Sequence, residues 1–315
     1  MASSSESVGG VAAGKVYLVG AGPGGMGLLT LRALEVLCSA DVILYDRLVP
    51  MDIVKLAKPG AELRNVGKEG TASTEKMKVQ QDDIGVQLVD LAKKGCSVCR
   101  LKGGDPMIFA RIGEEMEACA SGGVPFEVVP AVTAALAGAA DAWVPLTYRK
   151  QATEVRILTM NPSATKDPAF DWNQFVAPNV TFCLYMGLAV LPTVSEKLVA
   201  AGVPSDRPMA IVDRASLGAS QTVSGTVGSL PSLTAARTDL TGPAMVILGD
   251  VVAIRDRLSG SAGASPQTIP TTPKQALSAS LTSMSQEDLI SLKAEIDTLL
   301  NSPTRPKRNA DEMAA

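Results

Sequence analysis

From Arg100 to Glu115 the chain reads Arg-Leu-Lys-Gly-Gly-Asp-Pro-Met-Ile-Phe-Ala-Arg-Ile-Gly-Glu-Glu, a dense gathering of groups able to do chemistry. The β-rich run Ser97–Leu101 predicts a short strand that empties into Gly103 and Gly104, where the backbone can approach a ligand closely. Asp105 then offers a carboxylate to hydroxyl or amino groups, and Pro106 stiffens the turn. Gly113-Glu114-Glu115 opens an amphipathic helix with acids at its positive end. Arg111 sits between loop and helix, where its fixed fork of donors can hold a carboxylate. An ordinary turn between strand and helix would explain the glycines and Pro106. It would not explain charge at both ends.

Histidine is absent, which removes histidine triads, imidazole metal ligands and imidazole acid–base chemistry together. Any catalysis falls to carboxylates, Lys, Arg, Tyr, Ser or Cys. The five cysteines include one Cys-x-x-Cys pair, Cys96 and Cys99, with no second pair for zinc, so buried reduced thiols and a cytoplasmic location are expected. At 315 residues, with 46% hydrophobic and 19% charged, the chain has length for two domains. A net charge of -3 gives no basic footprint, and nucleic acid is not expected as a partner. No apolar run approaches the ~20 residues of a membrane-spanning helix, so no membrane association is expected.

These residues need elements to place them, and the pattern is strand, glycine loop, helix. Residues 1–14 read as a disordered tail. Val16–Gly20 predicts a buried strand, followed by Ala21-Gly22-Pro23-Gly24-Gly25 and a helix carrying Leu28, Leu29, Leu31, Leu34 and Leu37. Gly20, Gly22 and Gly25 satisfy G-x-G-x-x-G, and Asp41 or Asp46 follows near the distance of a ribose-binding acid. Pro23 lacks an N–H, however, which leaves a pyrophosphate one donor short. Further strands are predicted at 41–47, ending in Asp46-Arg47, at 61–68, ending in Lys68, and at 126–130, with a helix through Leu88 and Leu91 and a small-residue helix from Ala131. Strand carboxyl ends are where open α/β sheets bind ligands.

The first domain is expected to span 15–146 and a second 147–257. Strands at 155–159, 180–187, 209–212, 221–225 and 244–248, with a helix over 190–201, predict a mixed sheet. Beyond 257 the composition turns to Ser, Pro, Thr and Ala, a mostly disordered tail. One island, near 285–300, has a capping-box start and Leu289, Leu292, Ile296 and Leu299 at helical steps, predicting a short amphipathic helix.

Several separated motifs resemble the tetrapyrrole methylase family, and within it the uroporphyrinogen-III C-methyltransferases. They are the 16–24 run, Leu28–Leu31, Leu44–Val49, Gly67-Lys68, the whole 100–115 stretch, Pro125–Pro130, Pro145-Leu146-Thr147, Tyr185-Met186-Gly187 and Pro243-Ala244. The resemblance implies two α/β domains with S-adenosylmethionine in the crevice between them, in a homodimer. It implies cofactor contacts from Pro23, Gly103, Gly104, Asp105, Ile108, Thr133, Ala134, Met186, Ala215 and Ala244. The implied reaction methylates two adjacent pyrrole rings of uroporphyrinogen III, giving precorrin-2 for sirohaem or cobalamin synthesis. Arg111 is implied beside the macrocycle as base or carboxylate anchor, and Asp46 and Lys68 as acid–base groups. An arginine stays protonated, which favours the anchor. Arg47, Glu114, Arg149 and Met186 complete the implied substrate contacts, the arginines facing a substrate with eight carboxylates.

The chain departs from the family pattern at Ala131, where glycine is usual, at Tyr148, where histidine is usual, and in a longer loop near 70–76. Rival readings are a methylase of a later precorrin, a catalytically silent scaffold and a dinucleotide-dependent dehydrogenase.

Overall fold

The computed structural model describes residues 10–67, 74–259 and 285. Lys68, the 70–73 part of the loop and the helix expected near 285–300 lie outside them, apart from Ser285.

Five strands form the first sheet: β1 (Val16–Gly20), β2 (Val42–Tyr45), β3 (Glu62–Asn65), β4 (Val98–Lys102) and β5 (Phe126–Val129). All are parallel, in the order β3-β2-β4-β1-β5. Parallel strands need crossovers, and the helices α1 (Leu31–Leu37), α2 (Met51–Val54), α3 (Thr74–Lys93) and α4 (Ile112–Ser121) supply them. Alternation along the strands divides the core. Tyr17, Val19, Ile43, Cys99 and Leu101 pack towards α1 and α2, while Val16, Leu18, Val42, Leu44 and Val98 pack towards α3 and α4.

The helix α5 (Ala134–Asp141) follows. Its buried alanines, Ala135 and Ala139, join the core of the second sheet, beside Val212, Met245 and Ile247. That sheet contains β6 (Glu154–Thr159), β7 (Val180–Tyr185), β8 (Pro208–Asp213), β9 (Gln221–Thr226) and β10 (Ala244–Leu248), in the order β6-β7-β10-β8-β9. It is mixed, with β6 and β7 parallel and the other pairings antiparallel. Around it lie α6 (Pro162–Lys166), α7 (Leu191–Ala200), α8 (Leu230–Ala235) and α9 (Val252–Ser259). Both sheets belong to one compact unit.

Two expectations change. The leucine-rich helix is shorter than its pattern suggested, because Met26–Leu28 is a single 3-10 turn and Thr30 caps α1 by accepting the Ala33 amide at 3.1 Å. Leu31 is 86% exposed, and Ala33, Val36 and Leu37 supply the buried face. The thiols are not all buried either, since Cys38 is exposed and Cys96 half-buried.

Candidate active site

The carboxyl ends of β1, β2, β3 and β4 open onto a cavity of about 480 Å³, whose other wall comes from β7, β8, β10 and their loops. β1 and β4 are hydrogen-bonded neighbours, with Gly20 opposite Lys102, so their two glycine loops emerge side by side. The loops then hold each other: Gly104 donates to the Gly22 carbonyl at 2.8 Å and Gly22 donates back at 3.2 Å. A side chain at Gly20 would meet Ala131 Cβ at 2.5 Å and the Gly104 carbonyl oxygen at 2.8 Å. Only glycine permits that approach. Gly104, at φ +71°, is the opposite case, because nothing lies within 4 Å of where its side chain would be. The missing side chain leaves a cradle against the cavity.

Asp105 fixes this loop. Its Oδ1 accepts the Met107 amide at 2.9 Å and its Oδ2 accepts the Ala131 amide at 2.8 Å, so one carboxylate ties the β4 loop to the chain after β5. Pro23, Gly103, Ile108, Thr133, Ala134, Met186, Ala215 and Ala244 line the cavity with it. Thr133 Oγ1 hydrogen-bonds the Tyr185 hydroxyl, which also accepts the Ala135 amide at 3.0 Å. The Tyr185 ring meets Phe109 edge to face, with centroids 5.2 Å apart. Burial pushes the Tyr185 phenol above its ordinary pKa, so it stays protonated near neutrality. Phe109, Arg111 and Met186 all line the cavity with positive φ, at 51°, 55° and 59°. Such conformations are costly for these residue types and concentrate at functional sites.

Asp46, Arg47 and Arg111 stand on the cavity's charged side. Arg47 is exposed and makes no ion pair with another described residue. Arg111 caps α4 in the left-handed conformation and reaches Glu114 Oε1 at 2.8 Å. Glu114 and Arg149 are not among the lining residues. Glu114 is engaged by Arg111 on the exposed face of α4, and Arg149 occupies an exposed turn closed by the Tyr148–Ala152 bridge.

Arg100 and Lys102 also line this side of the cavity, and their pairing with Asp46 and Glu115 is a feature that sequence reasoning missed. Arg100, 1% exposed, donates from Nη2 to Asp46 Oδ1 at 2.5 Å and from Nε to Glu115 Oε1 at 3.0 Å. Lys102, 2% exposed, donates to the same Glu115 oxygen at 2.9 Å. Burial alone would lower the Arg100 pKa, but Asp46 and Glu115 outweigh it and the value is raised. Burial and the Arg100 charge lower that of Lys102, against the pull of Glu115. The available signal was the period of two along β4, which puts Arg100 and Lys102 on one face of a buried central strand. Charges so placed need partners.

The dinucleotide pattern loses its meaning here. The amides of Ala21, Gly22 and Gly25 donate to Lys102 O, Gly104 O and Ser216 Oγ, and α1 begins only at Leu31. No helix N-terminus stands at the loop to receive a pyrophosphate. Burial pushes the thiols of Cys99, Cys119 and Cys183 up to about 12, 11 and 12, which removes them as nucleophiles.

Two sheets facing one cavity, small residues on one side and charge on the other, define a small-molecule-binding α/β protein. Residues 15–231 match the tetrapyrrole (corrin/porphyrin) methylases, and the chain belongs to that family. It is 45% identical over 257 residues to a siroheme synthase of Pseudomonas fluorescens (strain SBW25), covering 81% of this chain and 54% of that protein. The chain thus spans about half the length of the siroheme synthases it matches. Its structure is similar to uroporphyrin-III C-methyl transferase from Thermus thermophilus complexed with S-adenyl homocysteine, at TM-score 0.64 and 36% identity, covering 76% of this chain and 99% of that one. It is also similar to a cobalt precorrin-4 methyltransferase, at TM-score 0.66 and 29% identity over 76% of this chain and 96% of that one.

Proposed function

We propose that this chain transfers methyl groups from S-adenosylmethionine to two adjacent pyrrole rings of uroporphyrinogen III, giving precorrin-2 for sirohaem synthesis. The observation that carries the reading is the pairing of the Gly104 cradle and the Asp105-fixed loop with a facing wall of Ala134, Ala215 and Ala244. These residues suit a flat nucleoside with an amino-acid tail, and a family relative of similar fold was solved with the demethylated cofactor. When bound, the cofactor supplies an electrophilic sulfonium methyl.

The chain's own residues bind, orient and handle charge. Pro23, Gly103, Gly104, Asp105, Ile108, Thr133, Ala134, Met186, Ala215 and Ala244 hold the cofactor. Arg47 and Arg111 anchor substrate carboxylates by paired N–H donors. Asp46, paired with Arg100 at 2.5 Å, accepts the proton that must leave the macrocycle after carbon attack. Arg111 stays charged and anchors rather than deprotonates. Alignment is the larger contribution, since a carbon nucleophile must meet the methyl in line. Lys68 keeps an acid–base role in this reading, and Glu114, Arg149 and Met186 keep substrate contacts. The two halves meet between 146 and 147, the active form is a homodimer and the compartment is the cytoplasm. Among the described residues, no helix is long and apolar enough to cross a membrane. Incubating the protein with uroporphyrinogen III, and separately with a later precorrin, tests the substrate: only the first should be methylated.

A further inference from the structure

The cavity wall formed by Ala215, Pro243 and Ala244 carries no polar side-chain atom, so its placement depends on what holds the two loops behind it. Asp213 ends β8 opposite Ala244 on β10, and neither Asp213 nor Arg214 lines the cavity. The Asp213 side chain is fully buried and uses both carboxylate oxygens: Oδ1 accepts the Gly242 amide at 2.7 Å, and Oδ2 accepts from Arg214 Nε at 2.9 Å. Arg214 extends the same join, its amide donating to the Pro243 carbonyl at 2.9 Å and its Nη2 to the Asp239 carbonyl at 3.4 Å. We infer that Asp213 and Arg214 are positioning residues for the cofactor, an ion-paired clip that sets Ala215 and Ala244 at the spacing a flat nucleoside needs. The inference rests on the reading of this cavity as the S-adenosylmethionine site.

The register between β8 and β10 ends at Asp213 and Ala244, so the loop before β10 must find other partners for its amides. The Asp213 carboxylate supplies one at Gly242. A carboxylate with no exposure needs a cation close by, and Arg214 provides it within the same turn. Backbone geometry points the same way. Arg214 has φ +49°, a left-handed conformation that glycine or asparagine adopts at lower cost. A long cationic side chain at such a position offsets its strain through the bonds it makes, here to Asp213 and the Asp239 carbonyl. Ala215 follows directly in the chain, so a shift of Arg214 reaches the cavity wall within one residue.

Calorimetry with S-adenosylhomocysteine on the full chain reads the clip, with the KM for uroporphyrinogen III measured beside it. Arg214→Asn keeps the left-handed turn without the cation and should weaken S-adenosylhomocysteine binding about tenfold, leaving the KM for uroporphyrinogen III within about twofold of the parent. Arg214→Lys restores the charge and should hold affinity within about threefold of the parent. Adding Asp213→Asn to Arg214→Asn removes the stranded charge and keeps an acceptor for the Gly242 amide, so the double variant should bind no more weakly than Arg214→Asn alone. Arg207→Met separates the clip from a general loss of stability. Arg207 precedes the other end of β8, where it holds the Phe175 and Ala177 carbonyls, and none of these residues lines the cavity. Its replacement should lower the urea midpoint while S-adenosylhomocysteine affinity stays within about twofold of the parent. Parental affinity in Arg214→Asn, or an equal loss of affinity in Arg207→Met, would overturn the inference while the cofactor reading stands. A parent chain that binds no S-adenosylhomocysteine would overturn the cofactor reading itself, and the inference with it.

Discussion

The Gly25 amide donates to Ser216 Oγ at 3.2 Å in a buried position, joining the glycine loop after β1 to the loop after β8. Ser216 is held in turn by its own amide, which donates to Asp141 Oδ2 on α5 at 2.7 Å. Three segments far apart in sequence thus converge where Ala215 meets the cavity.

Ser216→Ala removes this join. The expected loss is about 1 kcal/mol, the worth of one net hydrogen bond, seen as a roughly fivefold weaker affinity for S-adenosylhomocysteine in calorimetry. An unchanged affinity would mean that the two loops keep their relation without it.

Asp105 uses both carboxylate oxygens on backbone amides, so its removal should loosen the loop rather than delete one ligand contact. Asp105→Ala is expected to abolish cofactor binding measurable by calorimetry. Asp105→Asn, which can accept at only one of the two amides, should weaken it by at least about tenfold.

Arg111→Ala should leave cofactor affinity within about twofold of the parent and cut kcat by about a hundredfold, because it disturbs substrate alignment alone. Arg111→Lys restores the charge without the planar fork and should recover only part of the rate. Steady-state kinetics beside calorimetry separate the two effects, and equal turnover in Arg111→Ala would remove the residue from the mechanism.

Acid should destabilise the fold through two carboxylates. Hydrogen bonds from Arg32 and then Lys15 hold Glu127 at about 2, against an ordinary 4.5. Lys58, followed by Ser97, holds Asp41 at about 2, against 3.8. Both folded values are depressed, so the stabilisation is complete above the ordinary values and disappears as pH falls from about 4.5 towards 2. Urea midpoints through that window should fall with pH, and Glu127→Gln should flatten the decline.

Strands were legible where burial imposed a simple rule. Val16–Gly20 is apolar throughout because a central parallel strand is covered on both faces, and β4 was recognisable instead from the β-rich run Ser97–Leu101, despite the charges at Arg100 and Lys102. The cavity-lining residues of the 100–115 stretch were also legible, because glycines, an acid and an arginine seldom gather without a ligand to meet. The start of α1 was misread because five leucines outweighed the Thr30 cap.

The charge chain was hidden for a different reason. Glu115 lies 13 and 15 residues from Lys102 and Arg100, and only the packing of α4 on β4 brings them together. The acids that open α4 were seen as one feature, yet Glu114 turns towards Arg111 and Glu115 into the core. The packing of α5 against the second sheet was equally out of reach, since a run of alanines carries no mark of which core it will enter. The G-x-G-x-x-G pattern, already weakened in the sequence by Pro23, carries no phosphate site in the structure. Its spacing is right, but its amides are already used by the neighbouring loops.

The most direct measurement is anaerobic incubation of the purified chain with uroporphyrinogen III and S-adenosylmethionine, following product mass. The account predicts a gain of two methyl groups, with a singly methylated species as intermediate. No gain in mass, with the cofactor still bound by calorimetry, would contradict it.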